Sequence, residues 1–333
     1  MTTPAPAPQA SKLLFLGRYF AVIAVFALGI FFSTQSEVFL TERNFLSVVS
    51  QASLLLIVAG AMTLVVRSGG IDLSVGVALD IGALITVSLI ADGYVVWFSV
   101  LMGLLGGIGV GVFNATIIAF LKVSPFLTTL GTMFIGTSLQ KVLRSGGDPI
   151  YLTRTSAPDE FVIIGRGEML GLPIPIWIAA ACLVLVYLLL DRMSVGRGIT
   201  AFGVQPAGAV VAGLPTKRNI YIVYVTASTL AALAGVTLAA RLTAYVPLSG
   251  DYYLLDAIGA VFIGTTLSKE SRPNIPGTIL GVLIFTILAN GLNLIGLSFY
   301  WQGLARGVVL LLVLGLSVAL GRARVSKAAV AKV

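Results

Sequence analysis

The residues best able to do chemistry are three carboxylates that lie inside long apolar runs or in a glycine-containing break between two of them. Asp80 and Asp256 fall inside such runs, and Asp72 follows a Gly-Gly pair between two of them. An ionisable group at that depth in a membrane needs a partner or water. These carboxylates could accept hydrogen bonds from solute hydroxyls, carry a proton, or lock helices together. Asp72 could also cap the following helix, and Arg67 and Arg241 are the expected cationic partners.

Amide and aromatic side chains near the same runs form a second group. Amides suit hydroxyl groups, and aromatic faces suit the apolar side of a sugar ring. The competing interpretation is hydrogen bonding between helices together with an interfacial aromatic belt. With the carboxylates, the candidates for the substrate pathway are Asp72, Asp80, Asn114, Phe126, Asp256, Asn290, Asn293, Tyr300 and Trp301.

Composition predicts a membrane protein and excludes several other classes. Hydrophobic residues make up 58% of the 333-residue chain, charged residues 10%, and mean hydropathy is +1.04. The net charge of +8 comes from basic residues at the ends of apolar runs, which fits membrane topology rather than nucleic-acid binding. Histidine is absent and Cys182 is the one cysteine, so no metal site or cofactor is expected.

Apolar runs of about 20 residues, the length that crosses a bilayer, recur along the chain. They predict an all-α polytopic membrane fold with about ten transmembrane helices in a domain over 17–320. The predicted spans are 17–34, 45–66, 74–91, 95–121, 125–142, 175–191, 219–240, 253–267, 276–294 and 301–320. Residues 1–16 are expected to be a disordered cytoplasmic lead-in, and 321–333 a cytoplasmic tail.

Charges and internal repetition indicate the topology. Bases concentrate in the connectors on the side of the N-terminus and acids on the other, so the positive-inside rule predicts both termini in the cytoplasm. Asp80 is echoed by Asp256, Asn114 by Asn290, and Gly131 by Gly307, each 176 residues later. Five predicted spans separate equivalent positions, which predicts an inverted-topology repeat; the alternative is coincidence in an apolar sequence.

The longest predicted cytoplasmic connector, 192–218, contains a short helix of its own. Pro206 suits the first turn of a helix and Gly213 suits its end. An apolar helix of small residues exposed to the cytosol is expected to dock on a soluble partner that moves. The alternative is a passive helix resting on lipid.

Several segments resemble the permease family of ribose-type monosaccharide importers, members of the branched-chain and ribose permease family that are driven by ATP-binding cassettes. The likeness extends over about 45–320. It is carried by Gly69–Gly76, Ser124–Met133 and Leu254–Val261. The segments Phe202–Ala207 and Ala212–Leu214 are similar to the family's coupling helix, which implies ATPase coupling by Gly203, Gln205, Pro206, Ala207 and Gly213.

The chain departs from the family pattern in two places. Gly203-Val204-Gln205 stands where Gly-Gly-Asn is usual. The turn Gly264–Arg272 lacks the glycine pairs typical of this stretch and is bulkier and charged. The second departure leaves open whether the subunit pairs with itself or with a different one.

The resemblance implies a non-enzymatic permease subunit that carries a sugar or polyol across a bacterial inner membrane. The implied partners are an ATP-binding protein with two nucleotide-binding domains, a periplasmic sugar-binding protein, a second permease subunit (identical or homologous) and membrane lipid. The sequence has no G-x-x-x-x-G-K-[ST] loop, so energy must come from elsewhere. The alternatives are a proton-coupled secondary transporter using Asp80 and Asp256 and, from the same pair, an intramembrane aspartyl protease, whose G-x-G-D signature is absent at both.

Overall fold

The fold was analysed in a computed structural model, which describes residues 8–153, 157–268, 272–298, 301–309, 311–312 and 315. Its regular structure is almost entirely α-helical. In chain order the helices are α1 (Pro8–Gln35), α2 (Glu42–Arg67), α3 (Val75–Ala91), α4 (Val96–Phe120), α5 (Pro125–Leu143), α6 (Asp159–Arg166), α7 (Ile174–Tyr187), α8 (Ser194–Val204), α9 (Pro206–Val211), α10 (Thr216–Leu242), α11 (Gly250–Thr265) and α12 (Ile275–Leu294). Residues 301–309 are also helical.

Short irregular elements join these helices. A π-helical turn, Leu188–Arg192, extends α7. The strands have two residues each: β1 (Ile150–Tyr151), β2 (Glu168–Met169), β3 (Leu172–Pro173) and β4 (Ala244–Tyr245). β1 pairs antiparallel with β4, and β2 pairs antiparallel with β3.

The helices bear out the prediction of an all-α polytopic membrane fold. Five helical segments of the described chain are long and apolar enough to cross a membrane: Glu42–Arg67, Val96–Phe120, Ile174–Arg192, Thr216–Leu242 and Ile275–Leu294. Shorter apolar helices cover Ala21–Gln35 and Val75–Ala91. α1 begins at Pro8, earlier than the span start expected at residue 17. The predicted span 301–320 extends beyond the described residues, and the count of ten remains a prediction.

The chain divides into two compact units, one from 49–258 and one from the described parts of 1–48 and 259–333. In the unit 49–258, α3, α4 and α10 pack closely because α4 presents small residues at every fourth position. A Cβ added at Gly103 would lie 2.6 Å from the Gly82 carbonyl oxygen, and one at Gly107 would lie 2.8 Å from the Ser228 carbonyl oxygen. These helices can therefore touch backbone to backbone.

One end of that unit is closed by a cluster of buried apolar residues from α3, α6, α10 and β4. Phe161 of α6 and Val236 of α10 are fully buried in it, and Tyr245 of β4 is 1% exposed. The Nε atom of Arg166 donates to the Arg241 carbonyl oxygen at 2.7 Å and so ties the end of α6 to the end of α10.

In the other unit, α12 packs on α1 and on the end of α11. Gly291 lies against the ring of Phe32. A Cβ added at Gly281 would lie 2.6 Å from Ala260 Cα, so small residues again set the helix separation.

Candidate functional site

The polar segment between α2 and α3 breaks the helical path inside the membrane domain. Gly69 has a φ of +85°, which lies in the left-handed region and favours glycine. A Cβ added at Gly70 would lie 2.6 Å from the Tyr224 hydroxyl and 3.2 Å from Pro125 Cβ. The break is therefore tightly enclosed by α10 and α5.

Asp72 is fully buried in this break and is bonded locally. Its Oδ1 atom accepts from the Ser74 backbone N–H at 2.8 Å and from the Ser74 hydroxyl at 2.6 Å. Among the described residues, its Oδ2 atom has no hydrogen-bond partner. Asp72 thus orders the entry to α3, close to the capping role considered for it.

Asn114 links the break to two other helices. Its Nδ2 atom donates to the Ser74 hydroxyl at 2.7 Å, and its Oδ1 atom accepts from the Thr132 hydroxyl at 2.6 Å. Thr129 accepts from the Leu73 N–H at 3.1 Å. Sequence reasoning did not single out either threonine, although both lie within the motif Ser124–Met133. The network joins α4 and α5 to the start of α3.

Asp80 holds the start of α11 instead of pairing with a cation. Its Oδ1 atom accepts from the Gly250 N–H at 2.9 Å, at the positive end of that helix. The expectation that Arg67 or Arg241 pairs with Asp80 is therefore wrong. Arg67 forms an ion pair with Asp191 at 3.3 Å, and Arg241 donates to the Ser50 carbonyl oxygen at 3.1 Å. A backbone N–H satisfies Asp80 without a buried ion pair.

Gln140, which the sequence did not flag, supports the same segment. Its Oε1 atom accepts from the Tyr245 hydroxyl at 2.9 Å and from the Leu248 N–H at 3.2 Å. Burial, with the Asp80 carboxylate nearby, raises the pKa of Tyr245, so this hydroxyl remains a donor across the physiological pH range. Asp80 and Gln140 together fix the chain that leads into α11.

The remaining pathway candidates differ in burial. Asn290 is buried and exchanges hydrogen bonds with Asn44, at 3.1 and 2.9 Å. Asp256 is 8% exposed on α11. Phe126 at the start of α5 is 49% exposed, Trp301 is 58% exposed, and Asn293 is exposed. Tyr300 lies outside the described residues.

The short helix predicted in the connector 192–218 is present as α9, and most of its surface is exposed. Val210 and Val211 are 60% and 89% exposed, and Pro206 and Ala207 are exposed as well. Gly213 follows with a φ of +72°, as expected of a residue that ends a helix. The result is an exposed apolar surface.

The end of α8, directly before α9, touches the break at Gly69. A Cβ added at Gly69 would lie 3.0 Å from Gly203 Cα and 3.0 Å from the Gly203 carbonyl oxygen. Arg67 reinforces the contact, because its Nε atom donates to the Thr200 hydroxyl at 2.9 Å. The end of α8 and the break that contains Asp72 are therefore in direct contact.

Comparison with known proteins places the chain among transport permeases. Residues 44–314 match the family described as the branched-chain amino acid transport system / permease component. The chain is 35% identical to the ribose import permease protein of Bacillus subtilis (strain 168), covering 90% of this chain and 89% of that protein. It is 30% identical to the D-allose transport system permease protein of Escherichia coli (strain K12), covering 88% of this chain and 89% of that protein. The L-arabinose permease of the same strain is 32% identical over 76% of each chain. No solved structure matches the chain.

Proposed function

Because the chain belongs to the branched-chain transport permease family, we propose that it is the membrane subunit of an ATP-binding cassette importer for a monosaccharide. Relatives that align with 76–90% of this chain are named as permeases for ribose, allose and arabinose. A permease subunit is not itself an enzyme. The shared chemistry of those cargoes is a small ring bearing several hydroxyl groups, and this is the substrate class proposed here.

The observation that carries the proposal is the backbone contact between Gly203 and Gly69. A separate ATPase with two nucleotide-binding domains would dock on the exposed apolar surface of α9. Closure of those domains would push on α8. The movement would pass from α8 through this contact and through the Arg67 bonds to Asp191 and Thr200. The push would reach the break ahead of α3.

From the break, two sets of hydrogen bonds would carry the movement onward. The Ser74–Asn114–Thr132 network connects the break to α4 and α5. The bond from Gly250 to Asp80 connects α3 to the start of α11. Packed elements with such direct links move together, which is the requirement for alternating access.

The topology proposed for this transport is ten spans arranged as an inverted repeat. Small residues close the α3/α4 contact in one half and the α11/α12 contact in the other, which supports the repeat. The basic connectors support placing α9 and both termini on the cytoplasmic side of a bacterial inner membrane. A second permease subunit would complete the pathway, and a periplasmic binding protein would deliver the sugar.

The pathway residues are proposed in two roles. Asp72, Asp80 and Asn114 would position the helices, since their polar atoms bond to neighbouring segments. Phe126, Trp301 and Asn293 are exposed and available to a solute or to a second subunit, and Tyr300 is grouped with them by sequence alone. Asp256 and Asn290 are proposed as the counterparts of Asp80 and Asn114 in the second half.

The proton-coupled alternative is not favoured. The family and the relatives are permease components, and Asp80 accepts a backbone N–H that holds a helix end. To test the proposal, the subunit would be reconstituted in proteoliposomes with its ATPase and binding protein. ATP hydrolysis would be measured with ribose, allose, arabinose and an uncharged amino acid. One sugar should stimulate hydrolysis, and stimulation by the amino acid alone would contradict the proposed cargo.

A further inference from the structure

A groove outside the proposed pathway and docking surface runs between α3, α4 and the end of α5. Its volume is about 630 Å³, within the range of roughly 300–1,000 Å³ usual for small-ligand sites. Its walls are mainly aliphatic and aromatic: Leu84, Ile85, Leu89, Phe98, Met102 and Leu143. Such walls suit a hydrocarbon chain and offer little to a sugar.

The same groove is also lined by polar side chains, and Arg144 is the positively charged one among them. Arg144 caps α5, and its Nε atom donates to the Asp148 carbonyl oxygen at 3.2 Å. Within the described residues, its two terminal nitrogens form no hydrogen bond or ion pair. Ser88 and Tyr94 are the other polar lining residues. A half-buried guanidinium with unused donors suits a phosphate group, which it can bind through two parallel hydrogen bonds.

The residues around the groove place it at the edge of the membrane. Tyr94 and Trp97 follow the turn between α3 and α4 and are 53% and 67% exposed. Aromatic residues of this kind concentrate where hydrocarbon meets headgroups. Farther along α4, Leu101 and Leu105 are 53% and 45% exposed, so the outer surface beside the groove is apolar. The groove therefore leads from headgroup level into the hydrocarbon.

We propose that this groove binds one phospholipid, with an acyl chain along the apolar walls and the phosphate on Arg144. The charge of the guanidinium selects an anionic headgroup, and the apolar walls select a chain over a free anion. The bound lipid would hold the end of α5 against α3 and α4.

The test uses the full-length permease, purified in a neutral detergent and stripped of lipid. Retention of added phosphatidylglycerol would be measured by native mass spectrometry for wild type, Arg144→Gln and Ser88→Leu. Lys141→Gln is the matched control, because Lys141 is an exposed base on the last turn of α5 that does not line the groove. Melting temperatures in detergent would establish that each variant is folded.

Arg144→Gln should weaken lipid retention roughly fivefold or more, since hydrogen bonds between charged groups dominate such a site. Ser88→Leu should weaken it by filling the groove, and Lys141→Gln should leave it unchanged. Equal retention by Arg144→Gln and Lys141→Gln would overturn the proposal. An increase in melting temperature with inorganic phosphate equal to that with the lipid would also overturn it. A third contrary result would be that Ser88→Leu dissociates a dimer of the permease and leaves lipid retention unchanged.

Discussion

Replacing Gly203 by alanine tests the link between the docking segment and the membrane break. The added Cβ would overlap the Arg67 carbonyl oxygen and would lie 2.8 Å from the Ser68 carbonyl carbon and 2.9 Å from the Gly69 nitrogen. Ordinary contacts of a Cβ atom are 3.4–4 Å, and every one of these neighbours is backbone. The two segments must therefore separate by roughly 0.5 Å or more, at an overpacking cost of about 1–3 kcal/mol.

If that contact transmits the movement of the ATPase, the same free energy weakens coupling about 5- to 150-fold. We expect Gly203→Ala to keep basal ATP hydrolysis and to lose at least about fivefold of the sugar-stimulated rate. The assay is hydrolysis by the reconstituted complex, with co-purification of the ATPase to show that assembly is intact. Gly109→Ala is the control, because its Cβ meets nothing within 4 Å. Wild-type stimulation in a correctly assembled Gly203→Ala complex would refute the reasoning.

Three further predictions test the packing and the buried network. Asn114→Ala should lower the free energy of unfolding by about 1–3 kcal/mol, because it removes the two buried hydrogen bonds to Ser74 and Thr132; chemical denaturation should show no such loss for exposed Asn293→Ala. Asp80→Asn keeps an acceptor for the α11 N–H, so ATP-driven uptake of labelled sugar should persist; its abolition would indicate a role for the negative charge. Gly107→Ala should cost about 1–3 kcal/mol by overpacking, measured as a lower melting temperature, and an equal effect of Gly109→Ala would contradict the packing described.

Helix positions could be read from the sequence because membrane-spanning runs are long and uniformly apolar. The predicted span 125–142 and the observed helix Pro125–Leu143 differ by one residue. Partners of polar residues were harder to infer, because they depend on which distant segments meet. Asp80 bonds to an N–H 170 residues away, and Arg67 pairs with an acid 124 residues away.

Some of the missed features left a signal in the sequence. Gly103, Gly107 and Gly111 recur at four-residue spacing, which is typical of close helix packing in membranes. Gln140 is a polar residue inside a predicted span and could have been named on the same grounds as Asn114. The contact of Gly203 with Gly69 had no such signal, because neither glycine indicates its partner.

We propose that this permease is moved by an ATPase it does not contain. The most direct measurement is uptake of labelled sugar into proteoliposomes that hold the permease, its ATPase and its binding protein, with ATP and with a pH gradient supplied separately. We expect uptake with ATP alone, no uptake with the gradient alone, and none when the ATPase cannot hydrolyse ATP. Uptake driven by the gradient in vesicles that lack the ATPase would contradict the account.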